Sequence, residues 1–520
     1  MASPTSAIQG FLEPLHIDFE TIHLLSKAFQ RTFEKLALES QNQFLPTPIT
    51  ESILRPAHRG NQGCHLAIDI GGTNLRVGFV ELRPQEPFAA AQVDAQSSNQ
   101  DHRSETPTRM HRRLEKSWPI DDHLKNENSD SLFLWIGKCI AEVILDGCKE
   151  LHLPAHQEIP LGVTFSFPMV QHSLSEATLM TMGKGFAISS NLNLGARLLD
   201  GYNRAKSPNL PPIRVEAIAN DSVSTLVSFV FTYDESTTKR GTMGLILGTG
   251  CNATIPLRLS QLHPSKRPLR IPAGVGEDID DVKITVNTEW SINGTAPPLR
   301  ELGLMSRWDE VLDSQNEAPG FQPLEYMTAG RYLGELGRIM LVDYMTSNLG
   351  MATETLPAKL LQRHGLTTTF LSHFKPLGSL NLLSLLKTEF PESSGSATFI
   401  WTEDLAIALY HIAKAIEVRA AGIVAAATLA LLTLAGDVPP EGSPFVDRAC
   451  KLGVGFTGGC IVHFQDYLSD CQQFLDQLLE RRLGGNSLLE VELSPCHDGG
   501  VTGAGILVAA AASLTQKGLS

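Results

Sequence analysis

The sequence predicts an α/β protein built as two domains, and three observations carry that expectation. The chain has 520 residues, whereas a single domain usually closes its core at roughly 100–200. From Leu66 onward, short apolar runs punctuated by glycine alternate with longer stretches of helical period, the pattern of strands covered by helices. One strand–turn–strand unit also occurs twice, a domain's length apart: "LAIDIGGTNLRVGFV" at 66–80 and "MGLILGTGCNATIPL" at 243–257.

Composition narrows the class further. Apolar residues make up 42% and charged residues 19%, the balance of a soluble globular chain with a large core. A formal charge of −14 argues against nucleic-acid binding, which draws its affinity from clustered Lys and Arg. The basic run "SKRPLR" at 265–270 reads as a solvated loop. The eight cysteines are scattered without zinc or redox spacing, so free thiols in a reducing, cytoplasmic setting are expected. The opening "MASPTSAIQGFLEP" lacks the charged start and continuous apolar run of a signal peptide. The apolar stretch at 420–436 is shorter than the ~20 residues of a membrane span. It follows Lys414, Glu417 and Arg419, so a buried helix and no membrane insertion are expected.

Along the chain, residues 15–40 place apolar side chains every three or four positions and predict an amphipathic helix. Residues 65–82 are two apolar runs across Gly71, Gly72, Thr73 and Asn74, a hairpin. Residues 84–130, rich in Pro, Gln, Ser, Asn and charge, read as a long surface loop. "LFLWIGKCIAEVILDGC" at 132–148 is helical, "LGVTFSFP" at 161–168 is strand-like, and "RVEAIANDSVSTLVSFVF" at 214–231 passes from strand to helix. The stretch 258–275 is a second excursion, helices dominate from about 325 to 432, and "GAGILVAAAAS" ends the chain in a buried helix.

Several positions could carry chemistry, and each has a plainer reading. Glycine lets a turn bring its N–H groups close to an anion, and Thr and Asn add side-chain donors. Either hairpin alone could be a plain turn; two alike suggest a phosphate grip in each of two related domains. Neither is a P-loop, since no G-x-x-x-x-G-K-[ST] occurs, nor a dinucleotide fingerprint. Asp221, at the joint of strand and helix, is either a helix cap or a base that deprotonates a hydroxyl. Lys184 in "MGKGF" is either an exposed loop lysine or a cation for phosphate charge. Glu289 in "VNTEW" and Glu325 in "LEYMTAG" are either partly exposed acids or buried ones bonded to a polyol.

Taken in order, "IGGTNLRV", "TFSFP", "KGF", "ND", "GTGCN", "NTEW" and "YLGE" resemble the hexokinase family, from about residue 20 to the C-terminus. The resemblance implies a two-lobed, actin-like ATPase (ribonuclease H-like) fold with a cleft between a small and a large domain that closes over sugar and ATP. It implies a small domain at 62–218, to which a helix at 506–520 returns, and a large domain at 219–505 with residues 1–61 packed on it. Asp221 would be the base on the sugar's 6-hydroxyl, with Lys184 beside it. Ser166, Phe167, Gly183, Lys184, Asn220, Asn252, Glu289 and Glu325 would line the sugar. Asp69, Gly71, Gly72, Thr73, Asn74 and Arg76 correspond to the first phosphate loop, with Asp69 near Mg2+; Gly248, Thr249 and Gly250 correspond to the second. Gly458 and Gly459 in "GFTGGCIV", and Asp498, Gly499 and Gly500 in "HDGGVTGAG", fall where the family holds adenosine. The partners implied are a small sugar and ATP, and the chain would be a monomer or homodimer.

The departures from that pattern point further. Gly183 stands where glucose-phosphorylating members carry Thr, which removes a donor and bulk beside the sugar and is similar to the fungal N-acetylglucosamine kinase branch. Ser291 follows "NTEW" in place of Gly, Thr457 stands where Asp is usual, and Val501-Thr502 replaces Gly-Lys. Glucose, fructose or mannose as acceptor, a sugar-sensing regulator with little catalysis, and an actin-like or chaperone-like ATPase remain the alternatives.

Overall fold

The computed structural model describes residues 4–55, 63–83, 110–121, 123–124, 129–154, 156–180, 192–233, 236–268, 271, 278–376, 381–391, 399–443, 450–484 and 488–516. The elements used below are, in chain order, α1 (Phe19–Glu39), β1 (Gly63–Ile70), β2 (Asn74–Leu82), β3 (Met110–Pro119), α2 (Ser129–Glu150), β4 (Ile159–Phe165), α3 (Leu194–Ala205), β5 (Ile213–Asn220), α4 (Asp221–Thr232), β6 (Lys239–Leu247), β7 (Cys251–Arg258), α5 (Pro323–Thr328), α6 (Gly330–Asp343), α7 (Glu403–Leu434), β8 (Cys450–Thr457), α8 (Tyr467–Leu483), β9 (Leu489–Pro495) and α9 (Gly499–Gln516).

The chain divides into two compact units. Unit 1 is Met1–Leu45, Glu235–Arg267 and Val286–His497; unit 2 is Pro46–Asp234, Pro268–Thr285 and Asp498–Ser520. The joints fall after residues 45, 234, 267, 285 and 497, beside boundaries expected at 61/62, 218/219 and 505/506. The reason is burial: α4 puts Val223, Leu226, Val227 and Val230 into the same apolar cluster as Val501, Ala504 and Leu507 of α9, so both helices stay with unit 2.

Unit 2 is a five-stranded sheet in the order β3-β2-β1-β4-β5, with β1, β4 and β5 parallel and the β1–β2–β3 edge antiparallel. Alternation along β1 sorts its side chains by face. Leu66, Ile68 and Ile70 enter the cluster with Phe133, Ile136 and Ile140 of α2 and Leu194 and Leu198 of α3. Ala67 enters the opposite cluster, with α4 and α9. Asp69 shares the parity of Ala67, and that parity carries its carboxylate to the α9 side.

One expected segment is corrected. The loop read over 84–130 contains β3 at Met110–Pro119; residues 84–109 lie outside the described residues. As an edge strand, β3 pairs among the described residues only with β2 and buries none of its side chains fully, so it tolerates the charges that hide its alternation.

In unit 1, four strands run β7-β6-β8-β9, with β6–β7 antiparallel and β6–β8–β9 parallel. Asp18 caps α1 by accepting from Thr21 N at 2.7 Å. Among the described residues only α7 is long and apolar enough to cross a membrane, and 89% of its most apolar window is buried within the protein. α7 is apolar nearly all round because α1 and α8 cover it. Its one fully buried cation, Arg419, meets Asp309 at 2.6 and 2.8 Å and donates to Leu304 O at 3.1 Å. Both glycine-hinged repeats are antiparallel hairpins, closed by the pairs Ile70–Leu75 and Leu247–Cys251.

Candidate active site

In unit 2 the carboxyl ends of β1, β4 and β5 bring the singled-out residues together. Asp69 pairs across β1–β4 with Thr164, and Phe165 pairs across β4–β5 with Asn220, so three strand ends stop at one level. Open α/β sheets bind ligands at such strand ends. The Gly71–Asn74 turn is closed by Gly71 N to Asn74 O at 3.0 Å, leaving Thr73 and Asn74 exposed. Ser166 follows β4, held by its N–H on Ile70 O at 3.1 Å. Phe167 is placed differently from its expected role: its ring is in the apolar core against Phe165, with centroids 5.0 Å apart. Its carbonyl instead faces Asn220 Nδ2 at 3.4 Å.

Asn220 caps α4, accepting from Ser222 N at 3.0 Å and Ser222 Oγ at 2.7 Å. That leaves Asp221 as the first helical residue, its Oδ1 accepting from Ser222 N at 2.8 Å. Asp221 therefore sits in the first turn of a helix, whose N-terminal dipole interacts favourably with a carboxylate. Below it, Thr164 Oγ1 meets Ser224 Oγ at 2.6 Å and Gly500 O at 2.8 Å, tying β4, α4 and α9 together.

Asp69 is a strongly perturbed carboxylate in unit 2. Burial pushes its carboxyl up to about 7, and the negative charges of Asp221, Glu115 and Asp498 add to the effect against one opposing cation, Arg76. The α9 backbone lies directly on it: a side chain at Gly500 would place its Cβ 2.4 Å from Asp69 Oδ2. Asp498, at φ 52°, precedes that helix and accepts from Arg76 Nη1 at 2.9 Å.

Among the described residues no three His, Cys, Asp or Glu side chains converge as a metal cluster. A single buried carboxylate, Asp69, fits a divalent cation that arrives already bound to phosphates, since Mg2+ is usually held by one or two carboxylates together with substrate phosphates and water. Because the folded pKa of Asp69 lies above its unfolded value of 3.8, this group favours the native state most below that value. The contribution is lost as pH rises through about 7. Asp69→Asn should therefore melt higher than the parent at pH 8, with the gap closing towards pH 4. Thermal melts across that range check it, and a pH-independent gap would contradict it.

Unit 1 presents the second hairpin turn and the two acids. The Gly248–Gly250 turn is closed by Gly248 N to Gly250 O at 3.0 Å and held from below by Gly330 N to Gly248 O at 2.8 Å and Arg331 N to Thr249 O at 3.2 Å. Gly458, at φ +129°, packs so closely that a Cβ there would fall 2.3 Å from Leu247 C and 2.5 Å from Gly248 N. No other residue fits that conformation and that contact. Gly459 then opens a short helix to His463 and is exposed.

Glu325 is 2% exposed; Oε2 accepts from Cys251 N at 3.0 Å, and Oε1 is buried with no hydrogen-bond partner among the described residues. Such an oxygen costs free energy until a donor arrives. Glu289, 7% exposed, is held at φ 45°, a region non-glycine residues rarely occupy. Gln43 Nε2 fixes its carbonyl at 2.9 Å, while Asn287 Nδ2 and Asn252 Nδ2 reach Glu289 Oε1 at 2.9 and 3.3 Å. Two strained or under-satisfied acids beside an amide pair form a surface suited to hydroxyl groups.

Gly183 and Lys184 lie outside the described residues. Val501 and Thr502 are buried in the packing of α9, so their departure from the family pattern lies in that helix's interior packing. The sequence reading missed Asn287, Gln43, Thr164 and Ser224. The first was within reach, two residues before Glu289; Gln43 is 246 residues from its partner and had no signal.

Hexokinase family models match residues 242–510 and 7–231. Hexokinase-2 of Solanum tuberosum is 28% identical over 451 residues, 86% of this chain and 79% of its own length. Hexokinase-1 of Schizosaccharomyces pombe is 29% identical over 287 residues, 55% of this chain and 50% of its own. Among solved structures, the hexokinase from Schistosoma mansoni complexed with glucose superposes with a TM-score of 0.71 at 22% identity, covering 98% of this chain and 100% of that one.

Proposed function

Since the chain belongs to the hexokinase family and has its α/β actin-like ATPase fold, we propose that it transfers the γ-phosphoryl group of ATP to the 6-hydroxyl of a hexose. A hexokinase-type sugar phosphotransferase is the coarse function that membership carries. The observation supporting the specific chemistry is Asp221, a carboxylate on the first turn of α4 at the strand ends of unit 2, one residue after the cap Asn220.

In this reading the Asp221 carboxylate accepts the proton of the sugar hydroxyl as O6 bonds to the γ-phosphorus. The bond from that phosphorus to the β,γ-bridging oxygen breaks, and ADP leaves with the electron pair. The transition state is loose, so the protein mainly positions the reactants and neutralises charge. Unit 2 supplies the Gly71–Asn74 turn, Arg76, Asp498 with Gly499 and Gly500, and Asp69 for the Mg2+ that ATP brings. Unit 1 supplies Gly248, Thr249 and Gly250 for phosphate and Gly458 and Gly459 for the nucleoside, with Asn252, Glu289 and Glu325 for sugar hydroxyls. Ser166 and Asn220 complete the sugar contacts, together with Lys184.

N-acetylglucosamine is the proposed preferred acceptor, supported by the sequence alone: glycine stands at position 183 where glucose-phosphorylating members carry Thr, and the smaller residue would suit a 2-acetamido group. Glucose is the second reading, favoured because the superposed Schistosoma mansoni hexokinase is described as complexed with glucose. The sensor reading draws less support, since Val501 and Thr502 are interior. Eight free thiols fit a reducing cytoplasm. The test is ADP release with Mg-ATP and a panel of glucose, fructose, mannose, glucosamine and N-acetylglucosamine. The expected result is the highest kcat/KM on the acetamido sugar; glucose turning over far better would overturn the acceptor assignment. Sugar binding without ADP release would favour the sensor, and ATP hydrolysis indifferent to sugars an unrelated ATPase.

A further inference from the structure

Arg112 sits in the charged run "MHRRLEKSWP", which carries no motif and reads as loop. In the structure that run is the edge strand β3, and Arg112 spans two carboxylates. Its Nη2 lies 2.8 Å from Asp498 Oδ2, and its Nη1 donates to Glu115 Oε2 at 2.9 Å. The other oxygen of Asp498 accepts from Arg76 Nη1 at 2.9 Å. Asp498 therefore joins a guanidinium on β2 to one on β3, immediately ahead of α9.

Using both carboxylate oxygens fixes the orientation of Asp498 as well as its position. That matters because Asp498 holds φ 52°, a backbone state that is strained for a residue other than glycine. Its carbonyl accepts from Thr502 N at 3.3 Å, and two residues on, Gly500 rests against the Asp69 carboxylate. A shift of Asp498 thus moves the first turn of α9 against Asp69. It also releases Arg76, two residues after the Gly71–Asn74 turn.

We propose that Arg112 is a positioning residue for the nucleotide: by clamping Asp498 it sets the start of α9 and the direction of Arg76, without touching ATP itself. The inference rests on the reading of unit 2 as a Mg-ATP-binding half. It is specific in what it should change. Losing the clamp loosens phosphate recognition but leaves Asp221 and the sugar-facing acids of unit 1 in place, so nucleotide affinity falls and turnover at saturating ATP does not.

The test uses the full chain, with Mg-ATP affinity measured by calorimetry beside steady-state kinetics. For Arg112→Gln the expected result is a rise of about tenfold in both Kd and KM for Mg-ATP, with kcat and sugar KM within about twofold. Its melting temperature should stay close to the parent's, because the side chain is 36% exposed. Arg112→Lys should recover part of the lost affinity. Adding Arg112→Gln to Asp498→Asn should cost little more than Asp498→Asn alone, since both remove one contact. Unchanged Mg-ATP affinity in Arg112→Gln overturns the inference, as does a fall in kcat, sugar KM and melting temperature together. If the parent binds Mg-ATP but phosphorylates no sugar, the functional reading fails, and the Kd comparison still decides for or against Arg112. If the parent binds no Mg-ATP, both fall.

Discussion

Asp221→Ala should lower kcat by about 10²- to 10⁴-fold, the usual contribution of a positioned general base. Sugar binding should remain measurable, because Asn252, Glu289 and Glu325 belong to unit 1 and keep their hydrogen bonds. The mutation removes a group from the surface of α4 and not from its core, and the cap from Asn220 to Ser222 is untouched, so folding should survive. Asp221→Asn is the sharper companion. It keeps the size and the bond from Ser222 N while removing the proton acceptor, and should be nearly as inactive. Steady-state kinetics with calorimetric sugar titration separates the outcomes. A variant within tenfold of the parent would remove Asp221 from the chemistry.

The second large effect concerns Glu325. Its Oε1 is buried without a partner among the described residues, which is unfavourable until a ligand supplies a donor. Glu325→Gln keeps an acceptor for Cys251 N but replaces the charged acceptor that a sugar hydroxyl would use. A hydrogen bond to a charged group contributes about 1.5–3 kcal/mol, so the affinity for sugar should fall roughly 10- to 150-fold. The ligand-free protein should melt at or above the parent's temperature, because the buried carboxylate oxygen that lacks a donor is gone. Calorimetry and thermal melts on one preparation test both halves. Undiminished sugar affinity would show that Oε1 faces something other than substrate.

Much of the fold was legible because its signals are local. The hairpin at 65–82 alternates on both strands, "AIANDSV" marks a strand end and helix start together, and the apolar content of 420–436 exceeds what one buried face needs. The sequence failed where pairing, not composition, creates structure. β3 looks like loop because an edge strand can be charged on both faces, and its partner β2 is the only reason it is a strand. The joints between the compact units are hidden from the sequence for a related cause. α4 and α9 follow from apolar pattern, but which sheet they cover depends on packing between residues such as Val223 and Leu507 that lie far apart in the chain. In the site, the residue types of Asp69, Asp221, Glu289 and Glu325 were readable. The reasons they are held as they are, a glycine on Asp69 and a glutamine from residue 43 on Glu289, come only from the fold.

The most direct measurement is phosphorus NMR of the products formed by the purified chain with Mg-ATP and hexose, run beside Asp221→Ala. ADP and a hexose carrying phosphate on O6, in equal amounts and lost in the variant, are the predicted result. Inorganic phosphate released at the same rate with or without sugar, or phosphate on another hydroxyl, would contradict it.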